Sequence, residues 1–155
     1  MTAPLPIEVV RATVEDAERL APMFDAYRRF YGRVSAVDEC RGFLRERLER
    51  SESVIYIAQS GDGDDIRTAG FVQLYPSFSS VSLCRAWTLN DLFVDAAHRR
   101  LGAGRALMER AIGHCRETGA GQLWLQTDLT NATAQRLYDA AGMTRHEVLE
   151  YTLAV

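Results

Sequence analysis

Apolar positions along this chain recur with two periods, and the places where the period changes mark out its elements. Ile7 to Arg11 is a short apolar run with strand character. Thr13-Val-Glu-Asp16 has the form of a capping box and opens a helix. In that helix Leu20, Phe24, Tyr27 and Tyr31 recur at spacings of 4, 3 and 4, which is one helical face. Pro22 lies inside the pattern and predicts a kink or a break. Ser35-Ala-Val-Asp38 repeats the cap signal, and Cys40, Phe43, Leu44 and Leu48 mark a second helix. Val54–Gln59 and Ala69–Tyr75 are strand-like, joined by the turn Ser60-Gly-Asp-Gly-Asp-Asp65, with Pro76 ending the second. A long strand follows from Cys84 to Val94, then a helix from Gly102 to Thr118 with Leu107, Met108, Ala111, Ile112 and Cys115 on its apolar side. Gln122–Thr127 is a strand and Asn131–Ala141 a helix with Ala134, Leu137, Tyr138 and Ala141 at i, i+3, i+4 and i+7. Glu147–Leu153 alternates Leu149, Tyr151 and Leu153 against polar neighbours and predicts a final strand. Strands and helices alternate only in the second half, so the pattern predicts an α/β protein with a mixed sheet covered on both faces.

Length and composition narrow the picture. A chain of 155 residues is expected to form a single domain, residues 1–155, with one sizeable core. No apolar run is long enough for a membrane span, and Met1 to Val10 carries Glu8 and no basic region, unlike a signal peptide. All 18 basic residues are Arg; with no Lys, Schiff-base chemistry and a phosphate-loop lysine are excluded. The net charge is −3, the wrong sign for a generally basic nucleic-acid-binding domain. The segment from Arg99 to Arg116 holds five Arg but no interleaved aromatics, so no nucleic-acid partner is expected. Cys40, Cys84 and Cys115 form no C-x-x-C, which suits reduced, packed thiols in a cytoplasmic protein. His98, His114 and His146 lack ligand spacing, so surface roles and no metal are expected.

The sharpest local feature runs from Leu92 to Arg105, where a strand enters a loop and a helix begins at Gly102-Ala-Gly104. Free backbone N–H groups at a helix start attract anions, and glycines let a diphosphate approach the backbone. Arg99, Arg100 and Arg105 add cationic donors at the same point. A plain strand-to-helix turn on a basic helix would look similar. The nucleotide-binding alternatives fail, because neither G-x-x-x-x-G-K-[ST] nor G-x-G-x-x-G occurs.

The run Val94-x-x-x-x-Arg99-x-x-Gly102-x-Gly104 resembles motif A of the GNAT superfamily of acetyl-CoA-dependent N-acetyltransferases. Asn131-Ala-Thr-Ala-Gln-Arg-Leu-Tyr138 with Ala141-Gly-Met143 resembles that family's motif B. Tyr27-Arg-Arg-Phe-Tyr31, Leu74–Ser80 and Asn90-Asp-Leu-Phe-Val94 are similar to the histone and polyamine acetyltransferase-like branch. The resemblance implies a sheet of six to seven strands with a parallel pair, ending at Val94 and Thr127, that splays to admit acetyl-CoA. It implies that the pyrophosphate meets the amides of Arg99, Arg100, Leu101, Gly102, Ala103, Gly104 and Arg105. It implies that Leu92, Phe93 and Val94 hold the acetyl group and pantetheine arm, with the Leu92 amide as oxyanion donor. Asn131 would bond the cofactor arm, or act as a plain helix cap, or both. Tyr138 would protonate the departing thiolate; its apolar-face position also suits a core tyrosine.

A primary ammonium with a pKa of about 10.4 costs about 4.6 kcal/mol to deprotonate at pH 7, so a base or water chain is expected. The polyamine branch often has Glu-Asp where this chain has Asn90-Asp91, which leaves Asp91 as the leading base, with Asp128 and Glu39 behind it. Tyr27, Tyr31, Glu39 and Asp128 are the expected substrate contacts. Polyamines, other small amines, basic peptides and a protein lysine or N-terminus are the acceptors in view, beside a non-catalytic acetyl-CoA sensor. The alternating final strand, together with the resemblance, predicts a homodimer.

Overall fold

The structure is a computed structural model that describes residues 6–155; Met1–Leu5, half of the N-terminal segment discussed above, lie outside the described residues. In chain order the elements are β1 (Glu8–Arg11), α1 (Ala17–Phe30), α2 (Val37–Glu49), β2 (Val54–Ser60), β3 (Arg67–Ser79), β4 (Cys84–Val94), α3 (Ala103–Glu117), β5 (Gln122–Trp124) and α4 (Ala132–Ala140). The five strands lie side by side in the order β1-β2-β3-β4-β5. Neighbours are antiparallel except β4 and β5, which run parallel.

The sheet carries two apolar faces because β2 and β3 are apolar at consecutive positions. Val54, Tyr56, Ala58, Val72 and Leu74 face α3, packing on Leu107, Met108, Ala111 and Cys115. Ile55, Ile57 and Phe71 face the opposite way, onto Leu20, Ala21, Phe24, Cys40 and Leu44 of α1 and α2. That two-sided burial is what the period-2 alternation of a covered central strand requires.

Several expectations need correction. Of the kink or break expected at Pro22, the break does not occur: α1 continues through Pro22, which sits exposed in the second turn and removes only one helical bond there. Ser35 does not cap α2 directly; its hydroxyl and the Ala36 amide both donate to Asp25 of α1, at 2.9 and 2.6 Å. The Ala36 amide, ahead of Ser35 and the neighbouring arginines, holds the Asp25 carboxyl below its ordinary range. β3 continues past Pro76 to Ser79, because β2 ends its pairing at Leu74 and Pro76 pairs only with Trp87 of β4. In the turn after β2, Gly61 has φ +121°, and a Cβ there would meet the Asp65 carbonyl oxygen at 2.1 Å. The segment expected as a sixth strand, Glu147–Leu153, pairs with nothing among the described residues, and Leu149, Tyr151 and Leu153 are exposed. His114 is buried, not superficial, bonded to the Tyr56 hydroxyl at 2.9 Å.

Candidate active site

The parallel pair is short. β4 and β5 match only at Ala86–Gln122, Trp87–Leu123 and Thr88–Trp124, so the expected strand to Thr127 stops three residues early. Beyond Thr88, β4 continues to Val94 with no partner on that side among the described residues. The gap is a cleft of about 810 Å³, a size suited to a cofactor.

The phase of β4 decides which of its groups reach this gap. The Asp95 amide donates to Ala69 of β3 at 2.9 Å, so Asp95 and, by alternation, Phe93 point their backbone bonds toward β3. Leu92 and Val94 therefore turn their backbone groups toward the side that β5 has left. A bulge lies just upstream, where Leu74 pairs with Leu89 and Gln73 with Asp91, leaving Asn90 as the extra residue. The bulge resets the phase of the strand. Leu89 faces α3, whereas Asp91, two residues on, joins Gln73 on the α1 side. Asn90 is exposed on the cleft floor.

At the far end of the cleft, Arg100 and Gly102 adopt positive φ, 63° and 86°, and α3 begins at Ala103 without a side-chain cap. The first-turn amides are thereby left for an external acceptor. A Cβ at Gly104 would meet Leu137 at 3.6 Å and Val94 at 3.8 Å, so nothing but the cleft lining crowds that face. His98, Arg99, Arg100, Arg105 and Arg136 line this cavity, and no carboxylate does. Arg99 Nε also donates to the Val94 carbonyl at 3.3 Å, which ties the loop to the strand end.

From α4, Asn131 and Tyr138 reach the same cleft. Asn131 Oδ1 accepts from the Ala134 amide at 3.1 Å, so Asn131 is both helix cap and cleft residue, with its NH2 group remaining as a donor. Tyr138 is half-buried; burial, followed by the neighbouring Tyr31, pushes its phenol up to about 12.

A second cavity of about 460 Å³ adjoins the first and shares Tyr27, Tyr31, Leu89, Asn90, Gln126 and Thr127 with it. Its remaining walls include Trp124, Asp128 and Glu150, and no Arg or His. Two neighbouring cavities of opposite charge thus meet at one junction.

Residues 20–143 match the acetyltransferase (GNAT) family. The chain belongs to that family. GNAT proteins are acyltransferases that use acetyl-CoA as co-substrate. Among the relatives of this GNAT enzyme, an uncharacterized N-acetyltransferase, YhfO, of Bacillus subtilis (strain 168) is 43% identical over 136 residues, covering 88% of this chain and 89% of that one. The ribosomal protein bS18-alanine N-acetyltransferase of Escherichia coli (strain K12) is 40% identical over 55 residues, 36% of this chain and 37% of that one. A solved crystal structure of a probable acetyltransferase superposes with a TM-score of 0.87 at 42% identity, covering 96% of this chain and 97% of the other.

The structure brings together most of the residues singled out from sequence. Leu92, Phe93, Val94, Arg99, Arg100, Gly102, Ala103, Gly104, Arg105, Asn131 and Tyr138 line the larger cavity. Asp128 lines the smaller, and Tyr27 and Tyr31 line both. Three residues depart from expectation. The Leu101 side chain is outside the cavity lining. Glu39 lines neither cavity: it is exposed in the first turn of α2, next to the buried Cys40 that faces the sheet. Asp91 is buried behind the wall. Sequence reasoning missed Phe30, Gln126, Thr133, Arg136, Trp124 and Glu150. Arg136 and Thr133 lie within the motif B segment, where their proximity to Asn131 and Tyr138 was the available signal.

Proposed function

We propose that residues 1–155 act as one domain that moves the acetyl group of acetyl-CoA directly to a primary amine, a polyamine or another small amine. The observation that carries this reading is the junction of two cavities of opposite charge. An Arg-lined cavity suits a polyanionic cofactor, and a cavity walled by Asp128, Glu150 and aromatic rings suits a cationic acceptor. Their shared residues support a side-by-side arrangement of the two reacting groups, which is the main requirement of direct transfer.

Within that reading each group has a task. The amides from Arg99 to Arg105 receive the pyrophosphate. Asn131 donates to the pantetheine arm through its free NH2. The Leu92 amide, turned into the gap, donates to the thioester carbonyl as negative charge develops there. Tyr138, whose phenol stays protonated, delivers its proton to the departing thiolate. Asp91 takes the proton that the amine must lose. The exposed apolar tail from Val148 to Leu153 supports a homodimer of this enzyme.

The test is a turnover screen with acetyl-CoA and free-thiol detection across monoamines, diamines and basic peptides. Thiol release that depends on a small diamine supports the reading. Tight acetyl-CoA binding without turnover on any amine would replace it with a sensing role.

A further inference from the structure

Asn90, the extra residue of the β4 bulge, stands in two settings at once. It is exposed and lines both cavities at their junction. Its Nδ2 also donates to Asp91 Oδ1 at 3.1 Å, behind the cleft wall. Asp91 is 5% exposed and accepts a second bond at Oδ2, from Gln73 Nε2 at 2.7 Å. Gln73 lines neither cavity, so of these two donors to Asp91 it is Asn90 that meets the cleft. A carboxylate only accepts hydrogen bonds, so Asp91 selects the NH2 end of the Asn90 amide. Asn90 Oδ1 is left on the other branch of that amide, turned away from Asp91, and has no hydrogen-bond partner among the described residues.

We propose that Asn90 Oδ1 accepts a hydrogen bond from an N–H of the attacking amine, with Asp91 as the positioning residue that fixes the amide. The inference rests on the acetyl-transfer reading and deepens it by naming the group that orients the nucleophile. As the nitrogen lone pair enters the acetyl carbon, the nitrogen becomes positively charged and its N–H bonds become better donors. A carbonyl oxygen already aimed at them binds that transition state more tightly than it binds the free amine. The N–H proton stays on nitrogen through this step, so Asn90 receives a hydrogen bond and is not a base. Asp91 thus has two tasks, holding Asn90 and taking the amine's proton.

The placement suits the task. Strand rise puts Asn90 roughly 7 Å from Leu92, the residue whose amide turns into the same gap. The acceptor for the amine and the donor for the thioester oxygen therefore lie on one stretch of β4. Gln73, Asp91 and Asn90 form a chain of charge-assisted bonds, which polarises the Asn90 amide and strengthens its oxygen as an acceptor. Gln73 is fully buried and its Oε1 has no partner among the described residues. Turning that amide over would offer an acceptor to a neutral amide at position 91, so Asp91→Asn can keep the chain intact without the charge.

The experiment is Asn90→Ala in three backgrounds, wild type, Asp91→Asn and Asp91→Leu. It reads kcat and KM for the best amine across pH, with acetyl-CoA affinity as the check on folding. In the wild-type background kcat/KM is expected to fall about 10- to 10²-fold, by the same factor at every pH, with acetyl-CoA affinity within a factor of about two. Asp91→Asn keeps an oxygen for Asn90, so Asn90→Ala should cost the same factor there. Asp91→Leu releases the amide, so Asn90→Ala should cost little more. A wild-type rate in Asn90→Ala overturns the proposal, and so does a cost that vanishes in Asp91→Asn. A loss that disappears as pH rises also overturns it, because that pattern marks a proton acceptor. An undiminished cost in Asp91→Leu overturns the positioning by Asp91. Wild-type protein that acetylates no amine overturns the transfer reading itself.

Discussion

The Gln73 amide donates to Asp91 at 2.7 Å, and both side chains are shut away from water, Gln73 completely and Asp91 to within 5%. An amide is a weaker partner for a buried carboxylate than a guanidinium, and 18 arginines were available in this chain. Burial therefore keeps the Asp91 carboxyl raised, against the modest lowering that the Gln73 amide exerts.

That choice has a stability consequence. Burial raises the Asp91 carboxyl in the folded state, so the folded protein holds that proton more tightly than the unfolded chain. Between the ordinary carboxylate value and the raised one, stability rises as pH falls; above the raised value the ionised group bears its full desolvation cost. Asp91→Asn keeps the shape and removes the charge. It is expected to be more stable than wild type at pH 7, by about 1 kcal/mol, and to lose that advantage in acid. Chemical denaturation at pH 7 and pH 4 measures both differences. A variant less stable than wild type at pH 7 would mean that the charge itself holds the site together.

Tyr138→Phe isolates the other proton. The ring fills the same half-buried space against the α3 core, and only the hydroxyl is lost. Turnover should fall about 10²-fold with acetyl-CoA affinity within a factor of about two, the pattern of a group that acts in the transition state. Pre-steady-state thiol release and calorimetric titration separate the two quantities. An unchanged rate returns Tyr138 to the core.

Sequence and structure agree best where chemistry demands particular residue types over a short span. The turn at Gly102 needs positive φ and the cap at Asn131 needs a side-chain acceptor, and both are written locally. What was not legible depends on partners distant in sequence. The bulge at Asn90 exists only in the pairing of β4 with β3, yet it decides that Asp91 joins Gln73 on the α1 side rather than facing α3. Pro76 stays in a strand because β2 happens to end opposite Leu74. Glu39 was a candidate as a carboxylate, and residue type alone does not give the outward rotation of α2 that buried Cys40 and Leu44 impose. Alternation in the tail signals a segment able to form a strand, but a strand also needs an edge to pair with.

Gly104→Glu tests the cofactor end of the cleft. A side chain at Gly104 would begin at ordinary contact distance from Leu137 and Val94, so the fold should survive. Its carboxylate would project where we propose that the pyrophosphate is received, among Arg99, Arg100 and Arg105. Acetyl-CoA affinity should fall at least about 10²-fold, the loss expected when an anion site gains a like charge. Gly102→Glu should be the less stable of the two, because Gly102 also needs φ +86°. Calorimetric titration with thermal melts distinguishes them. Wild-type affinity in Gly104→Glu would remove the pyrophosphate from this turn.

The tail makes the last prediction. Leu149, Tyr151 and Leu153 are 82, 87 and 84% exposed, and Val148 is 74% exposed, a run of apolar surface that a lone soluble chain rarely leaves uncovered. The same chain ends its sheet at a three-residue β5 whose outer edge has no partner among the described residues. An unpaired edge and an unpaired segment with strand alternation in one chain are complementary, and two copies can satisfy both at once by exchanging tails about a two-fold axis. The full chain is therefore expected to be a homodimer at micromolar concentration. A chain ending at Arg145 is expected to be a folded monomer that still binds acetyl-CoA, since no cofactor-cleft residue lies beyond Tyr138. It should also bind the acceptor more weakly, because Glu150 leaves the smaller cavity with the tail. Light scattering on both chains, with KM for the best amine from each, decides the matter. A monomeric full chain would show that the tail stays unpaired in solution. A dimer that survives the truncation would move the interface to another surface.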